Sequence, residues 1–182
     1  LAAIAICGGE VFIPGMKNES LQGDTGFVSL MEEMGCTALW VNEGVKLSRD
    51  PQSVLKGVSV DLNDMSDLVP TVVSVALFAH GSSNISGVGF IRNKESDRLG
   101  DLAVELRKCD ADVEVLEDGL RISPRPLRGT ELGTHHDHRL AMAFGLVALK
   151  VSGVTVEDPT VVSKSWPMYW EMRKRMLRSC RE

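Results

Sequence analysis

Apolar positions are concentrated in three Ala-rich segments: LAAIAIC at the start of the chain, VVSVALFAH in its middle and LAMAFGLVALKVS towards its end. Drawn as helices, these segments are apolar around almost their whole circumference, which is typical of helices that are buried on all sides. A glycine follows each one, and the three glycines, Gly9, Gly81 and Gly153, are each 72 residues apart. This spacing predicts an internal repeat.

The polar and apolar positions after each glycine follow one order as well. A short strand pattern comes first, at residues 10–13, 84–86 and 154–156. After a polar loop, apolar residues recur at helical spacing in residues 27–34, 99–108 and 169–177. Alternating residues around Glu-Gly and Asp-Gly pairs then predict hairpins at 37–49 and 112–124, with the glycine tolerating positive φ in the turn.

The predicted fold class is therefore α/β, with three pseudo-repeats in the order helix-strand-helix-strand-strand, buried helices and outer sheets. We expect a single domain over residues 1–182, with units at about 1–50, 67–125 and 137–178. The third unit lacks its two closing strands, which leaves an open sheet edge. We expect upstream sequence to complete it, because Leu1 also begins an apolar helix without a capping residue, as in a fragment.

Composition excludes several classes of protein. Hydrophobic residues make up 43% and charged residues 25% of the chain, as in a globular protein with a core. The net charge of −5 argues against a nucleic-acid partner. No apolar run is long enough for a membrane span. The four cysteines have no zinc-site spacing, so a reducing, cytoplasmic location is expected.

The densest polar loop is RNKESDR, in which Lys94, Glu95 and Arg98 stand among alternating charges. One interpretation is a solvated helix start with ion pairs. The other is an anion site: if the segment is helical, Lys94 and Arg98 project from one face beside Glu95. Cations at a helix start are poor partners for the helix dipole, but they suit a bound carboxylate or phosphate.

The string THHDHR precedes the third buried helix and suggests a metal site at first sight. Adjacent loop residues point in different directions, so at most two could bind one ion, and no metal is predicted. Asp137 instead suits the cap of a helix that starts near Arg139. His135, His136 and His138 then have an alternative role in packing and hydrogen bonding.

Two further polar residues stand at the equivalent place of other units. Asp67 lies before the second buried helix, where the simplest interpretation is an N-cap. Lys164 lies in a predicted loop over residues 163–166 that enters the last helix near Pro167, and it could be an ordinary surface lysine.

Five strings, NKESDRL, HDHRLAM, SLQGD, SDLVPT and KSWP, resemble the enolpyruvylshikimate-phosphate synthases over essentially the whole chain. The resemblance implies two similar domains of three units each, with the active site in the cleft between them and the N-terminal domain absent here. The implied reaction moves the enolpyruvyl group of phosphoenolpyruvate to the 5-hydroxyl of shikimate 3-phosphate and releases phosphate, by addition and elimination. It implies no metal or organic cofactor.

The resemblance also implies a role for individual residues. Glu95 corresponds to the general acid/base, Asp67 to the carboxylate at the attacking hydroxyl, and Lys164 to a lysine on the phosphoenolpyruvate phosphate. The implied substrate-binding residues are Lys94, Arg98, His138 and Arg139. Phe90 departs from the family, which often has a polar residue there in contact with the shikimate phosphate.

Two alternatives stay open. One is the related transferase that uses UDP-N-acetylglucosamine, although KESDRL together with DHRLAM favours shikimate. The other is a non-catalytic module that binds a phosphorylated ligand, because half of a two-domain cleft cannot close around its substrates.

Overall fold

The computed structural model describes residues 1–20 and 22–179. The helices are α1 (Ala2–Cys7), α2 (Gly26–Glu33), α3 (Val69–Ala76), α4 (Gly100–Lys108), α5 (His138–Val147) and α6 (Tyr169–Ser179). The strands are β1 (Gly9–Pro14), β2 (Thr37–Val41), β3 (Gly44–Arg49), β4 (Ser59–Asp61), β5 (Ser83–Ser86), β6 (Asp112–Leu116), β7 (Gly119–Ser123), β8 (Glu131–Leu132) and β9 (Thr155–Val156). Short 3-10 helices cover Gly23–Thr25, Asn63–Leu68, Gly89–Asn93 and Pro159–Lys164.

These strands form three sheets, with the orders β1-β3-β2, β4-β5-β7-β6 and β8-β9. The first two sheets contain the predicted hairpins, in which β2 and β6 pair antiparallel with β3 and β7. The α/β class and the order helix-strand-helix-strand-strand are thus confirmed, while the boundaries of the three units stay a prediction. No helix in the described ranges is both long and apolar enough to cross a bilayer.

The two hairpin glycines are required for different reasons. Gly44 has a φ of 155°, and a Cβ there would also collide with the carbonyl of Ile13. Gly119 has no positive φ, so the reason expected from the sequence is wrong at this position. Its requirement is close approach, because a Cβ on Gly119 would collide with the carbonyl of Ile85 on the neighbouring strand.

Helices α3 and α5 pack against each other in the middle of the protein, as predicted for apolar helices. Phe144 is completely buried on α5, and Val73 is completely buried on α3. The Ser74 hydroxyl is also buried, and it is within 3.0 Å of the carbonyl oxygens of both Pro70 and Ala143. This polar contact joins the two helices at a fixed register.

Two strands were not predicted, β4 and β8. Each precedes a buried helix and pairs in parallel with the strand that follows it, so that β4-α3-β5 and β8-α5-β9 have the same layout. In the described part of the chain the first sheet has no strand equivalent to β4, and the third has no hairpin beside β9. Completion of these edges by upstream sequence stays a prediction.

Candidate active site

The start of α5 is organised by Asp137. Its Oδ1 accepts a hydrogen bond of 2.8 Å from the backbone N–H of Arg139, which confirms the predicted cap. The carboxylate is completely buried, and its Oδ2 is 2.7 Å from the Nε of Arg98. Burial alone would raise the pKa of Asp137, but the hydrogen bonds from Arg98, Arg139 and Ser96 outweigh it and lower that pKa.

Arg98 joins Asp137 to a second carboxylate. Its side chain is only 3% exposed, and its Nη1 is 2.9 Å from Oδ1 of Asp67. The helical arrangement considered for Lys94 and Arg98 is wrong, because α4 begins only at Gly100. The carboxylate of Asp97 accepts from the N–H groups of Leu99 and Gly100, which starts the helix after this segment.

Asp67 lies in the 3-10 helix Asn63–Leu68, which precedes α3. Its Oδ2 is 2.7 Å from Nη2 of Arg139, and its backbone oxygen accepts from Nη1 of the same arginine at 3.1 Å. The N-cap of α3 is Leu68, which makes no side-chain capping bond, so the interpretation of Asp67 as an N-cap is wrong. The Asp67 side chain is 41% exposed and faces both arginines.

Glu95 contacts three other polar side chains of the site. Its Oε1 is 2.7 Å from Nζ of Lys164, and its Oε2 is 3.0 Å from Nδ1 of His138 and 3.9 Å from Nη2 of Arg98. The hydrogen bond from Lys164 is the main reason that the pKa of Glu95 is lowered, and the His138 contact acts in the same direction. Glu95 is therefore a carboxylate at neutral pH in this arrangement.

Lys164 is placed by an element that was expected to be a loop. It is the last residue of the 3-10 helix Pro159–Lys164, whose start is capped by the Asp158 carboxylate through the N–H and hydroxyl of Thr160. Residues 163 and 164 of the predicted loop are therefore helical. The Lys164 side chain remains 50% exposed.

Six of the seven predicted site residues thus form one network of contacts: Asp67, Glu95, Arg98, His138, Arg139 and Lys164. The seventh, Lys94, is exposed, and its Nζ lies 5.8 Å from the centroid of the Phe90 ring. Phe90 is itself 48% exposed, so this pair lies on the surface.

Three neighbouring side chains have the spacing of ligands for a metal ion. Ligand atoms of Glu95, Asp137 and His138 lie within 4.8 Å of one another. Arg98 and Lys164 already place positive charge at these carboxylates, however, at 2.7 Å from Asp137 and Glu95 respectively. His135 turns away from this group towards Glu105, 3.0 Å from its Nε2. The donor set therefore suits an arginine and a lysine better than a metal ion.

The network lies on an open surface. Glu95, Asp67 and Lys164 are between 37% and 50% exposed, while the groups behind them, Arg98 and Asp137, are almost completely buried. Buried charges thus lie behind exposed acidic and basic side chains. Such a surface can bind an anion and exchange protons with it.

Comparisons with known proteins agree with this geometry. The fold matches an EPSP synthase structure from Acinetobacter baumannii with a TM-score of 0.82 and 25% identity, over 95% of this chain and 43% of that one. The fold is therefore that of part of an EPSP synthase. The sequence model of the family described as EPSP synthase (3-phosphoshikimate 1-carboxyvinyltransferase) matches residues 1–172. The chain belongs to this family.

Individual relatives are similar over nearly the whole chain. A 3-phosphoshikimate 1-carboxyvinyltransferase from Methanoculleus marisnigri is 41% identical over 93% of the chain, and one from Photorhabdus laumondii is 42% identical over 97%. The chain spans only 40% and 41% of the length of these two relatives.

Proposed function

We propose that this chain forms one wall of the active site of an enolpyruvyl transferase. The enzyme transfers the enolpyruvyl group of phosphoenolpyruvate to the 5-hydroxyl of shikimate 3-phosphate and releases phosphate. The observation that carries the proposal is the network in which Glu95 and Asp67 are held side by side through Arg98. Family membership and the activity for which the relatives are named support the choice of substrates.

Two exposed carboxylates with different partners suit the two proton transfers of the reaction. During addition, the 5-hydroxyl oxygen bonds to C2 of phosphoenolpyruvate while a proton reaches C3. Elimination then breaks the C2–O bond to phosphate and removes a proton from C3. Asp67 binds the hydroxyl and accepts its proton, and Glu95 serves C3. A carboxylate keeps further acceptor positions when two of its sites are used by arginine, as in Asp67.

Glu95 needs a higher pKa to donate a proton than it has in the substrate-free arrangement. The contact with Lys164 is the main cause of its lowered pKa. We infer that the phosphate of phosphoenolpyruvate draws Lys164 away from Glu95, so that the pKa of Glu95 rises when the substrate arrives. Glu95 then becomes protonated once phosphoenolpyruvate is bound, and it can donate this proton to C3.

The arginines offset the repulsion between two phosphorylated substrates. Arg139 is 30% exposed and can reach phosphoenolpyruvate beside Asp67. Arg98 is only 3% exposed. Its predicted contact with phosphoenolpyruvate therefore requires that the side chain of Asp67 or Glu95 moves away from the guanidinium. His138 orients Glu95, and Lys94 extends the surface towards shikimate 3-phosphate. No metal or organic cofactor enters any of these steps.

The open surface and the coverage of the relatives both favour a second wall. Transfer through a charged transition state is helped by the exclusion of water, which a surface with half-exposed Glu95 and Lys164 does not provide. We therefore propose that an N-terminal domain of the same enzyme closes the cleft, and that the chain alone has little or no activity. The proposed location is the cytoplasm, which suits the buried thiols of Cys36 and Cys109. Neither nucleic acid nor a membrane is a proposed partner.

Phosphate release from phosphoenolpyruvate and shikimate 3-phosphate tests the proposal. The assay compares the chain alone with the chain plus the part of the Photorhabdus laumondii relative that it does not match. Activity is expected only in the mixture. UDP-N-acetylglucosamine replaces the acceptor in a parallel reaction, and turnover there would favour the sister transferase. A complex that forms but turns over neither acceptor would favour the non-catalytic binding module.

The variant Glu95→Gln tests the role of this carboxylate in the active mixture. We expect its rate to fall about 10²–10⁴-fold, the usual contribution of general acid–base catalysis, with a much smaller change in substrate binding. An unchanged rate would remove Glu95 from the proposed mechanism.

A further inference from the structure

Glu105 is a buried carboxylate on α4 that no step of the proposed reaction uses. Its side chain is only 4% exposed, yet it accepts four contacts of 3.0 Å or less. The donors are Nζ of Lys108 at 2.7 and 2.8 Å, the N–H of Gly133 at 2.6 Å and Nε2 of His135 at 3.0 Å. The pKa of Glu105 is raised by burial but lowered more by these hydrogen bonds, so it stays ionised.

An ordinary helix ion pair does not account for this arrangement. A surface pair three residues apart leaves both side chains in water and contributes little. Here only Lys108 is exposed, at 48%, while the carboxylate points at the backbone of a segment 28 residues further along the chain. The contact joins α4 of the second unit to the loop that leads from β8 to α5 of the third.

That loop has an unusual backbone. His135 and His136 have φ values of 51° and 58°, a left-handed conformation that L side chains seldom adopt. Consecutive residues of this kind persist when their surroundings hold them. The Glu105 carboxylate does so at two points, Gly133 and His135, on either side of the buried Thr134.

The loop is connected directly to the active-site network. The carbonyl of Thr134 accepts a 2.9 Å hydrogen bond from the N–H of Asp137. Asp137 then holds Arg98 and caps the helix that carries Arg139. A displacement of the loop therefore changes the position of the arginine that faces the substrates.

We propose that Glu105 is a positioning residue, which holds the loop over residues 133–136 and thereby sets the directions of Asp137, His138 and Arg139. The catalytic consequence rests on the proposed function, but the positioning itself does not require that function. The two claims can therefore be tested by separate measurements on the same variants.

The first measurement is NMR on the chain without substrates, comparing Glu105→Gln with the unaltered protein. The neutral amide has one acceptor oxygen where the carboxylate has two, so it cannot accept from Lys108, Gly133 and His135 at once, and the loop loses part of its support. We expect changed backbone amide and arginine side-chain resonances at residues 137–139. The matched control is Glu114→Gln, which removes the same charge from an exposed pair with Arg121 and should leave these resonances in place.

The second measurement is kinetics in the reconstituted transferase. A misplaced Arg139 should lower kcat about 10–100-fold with a much smaller change in KM, because misplacement by about 1 Å can cost this much in rate. A merely structural role would lower thermal stability and leave the kcat of the folded enzyme unchanged. Unchanged resonances at residues 137–139 in folded Glu105→Gln would overturn the proposal.

A second variant decides the matter if Glu105→Gln does not fold. His135→Ala keeps the contacts of Glu105 with Lys108 and Gly133 and removes the imidazole that supports the loop. Its resonances at residues 137–139 should shift in the same directions, and their constancy would refute the positioning role. The two claims can fail separately. If the resonances of the chain shift but the assembled mixture with unaltered protein never turns over, positioning is upheld and the proposed function is rejected.

Discussion

Substitution of Arg98 by methionine removes the guanidinium that contacts Asp67, Glu95 and Asp137. Asp137 has no exposure and loses its closest partner, the Arg98 Nε at 2.7 Å. It keeps weaker neutral donors, the N–H of Arg139 and the Ser96 hydroxyl. Breaking a buried ion pair typically costs about 3–5 kcal/mol, so we expect the free energy of unfolding at pH 7 to fall by about 3 kcal/mol.

The pH dependence separates this cause from a packing defect. In the unaltered chain the pKa of Asp137 is lowered, so its stabilising contribution is present above the ordinary pKa and is lost as the pH falls through the folded-state value. Without Arg98, burial should raise the pKa of Asp137 instead. The variant then gains protons on folding, and its deficit should shrink between pH 8 and pH 5. A packing defect would give the same deficit at both pH values.

Denaturant unfolding followed by tryptophan fluorescence measures both effects. Arg121→Met is the matched control, because Arg121 pairs with Glu114 on the surface with both side chains at least half exposed. Its expected cost is about 0–1 kcal/mol, with no recovery at low pH that depends on Asp137. Equal costs for Arg98→Met and Arg121→Met would refute the reasoning, and so would an Arg98→Met deficit that does not depend on pH.

Three further substitutions test other parts of the structure. Lys164→Met removes the main contact that lowers the pKa of Glu95, so ¹³C NMR titration should show that pKa moving upward; an unchanged pKa would break the proposed link between them. Phe144→Ala should lower the free energy of unfolding by about 3–5 kcal/mol in denaturant titration, because the ring is completely buried. Gly145→Ala should displace α6 and lower the melting temperature, since a Cβ would lie 2.7 Å from the Tyr169 hydroxyl; an unchanged melting temperature would contradict this contact.

Most of the secondary structure could be predicted because its signal is local. The apolar segments, the amphipathic helices and both hairpins have a periodicity that the sequence displays directly. Strands β4 and β8, of three and two residues, are too short to show a period, and unlike the equally short β9 they do not follow one of the three repeated glycines. They exist because each pairs with a parallel neighbour across a buried helix.

The candidate site, too, could be predicted only in part from the sequence. The loops that carry Glu95, Asp67 and Lys164 were identified from composition and motif, but their contacts join residues that are far apart in the chain. The sequence therefore could not show that Arg98 is buried or that Asp67 faces two arginines. Glu105 was missed for a similar reason: it stands beside Leu106 of the apolar face of α4, which is only a weak signal for a buried carboxylate.

The ion pair between Asp67 and Arg139 limits how similar the repeats can be. These two residues are 72 positions apart, the same interval that separates the glycines of successive units. Corresponding positions of two repeats are thus in contact. Identical units would set two aspartates or two arginines against each other there, and like charges repel. The pair therefore requires that the two repeats carry opposite charges at this position.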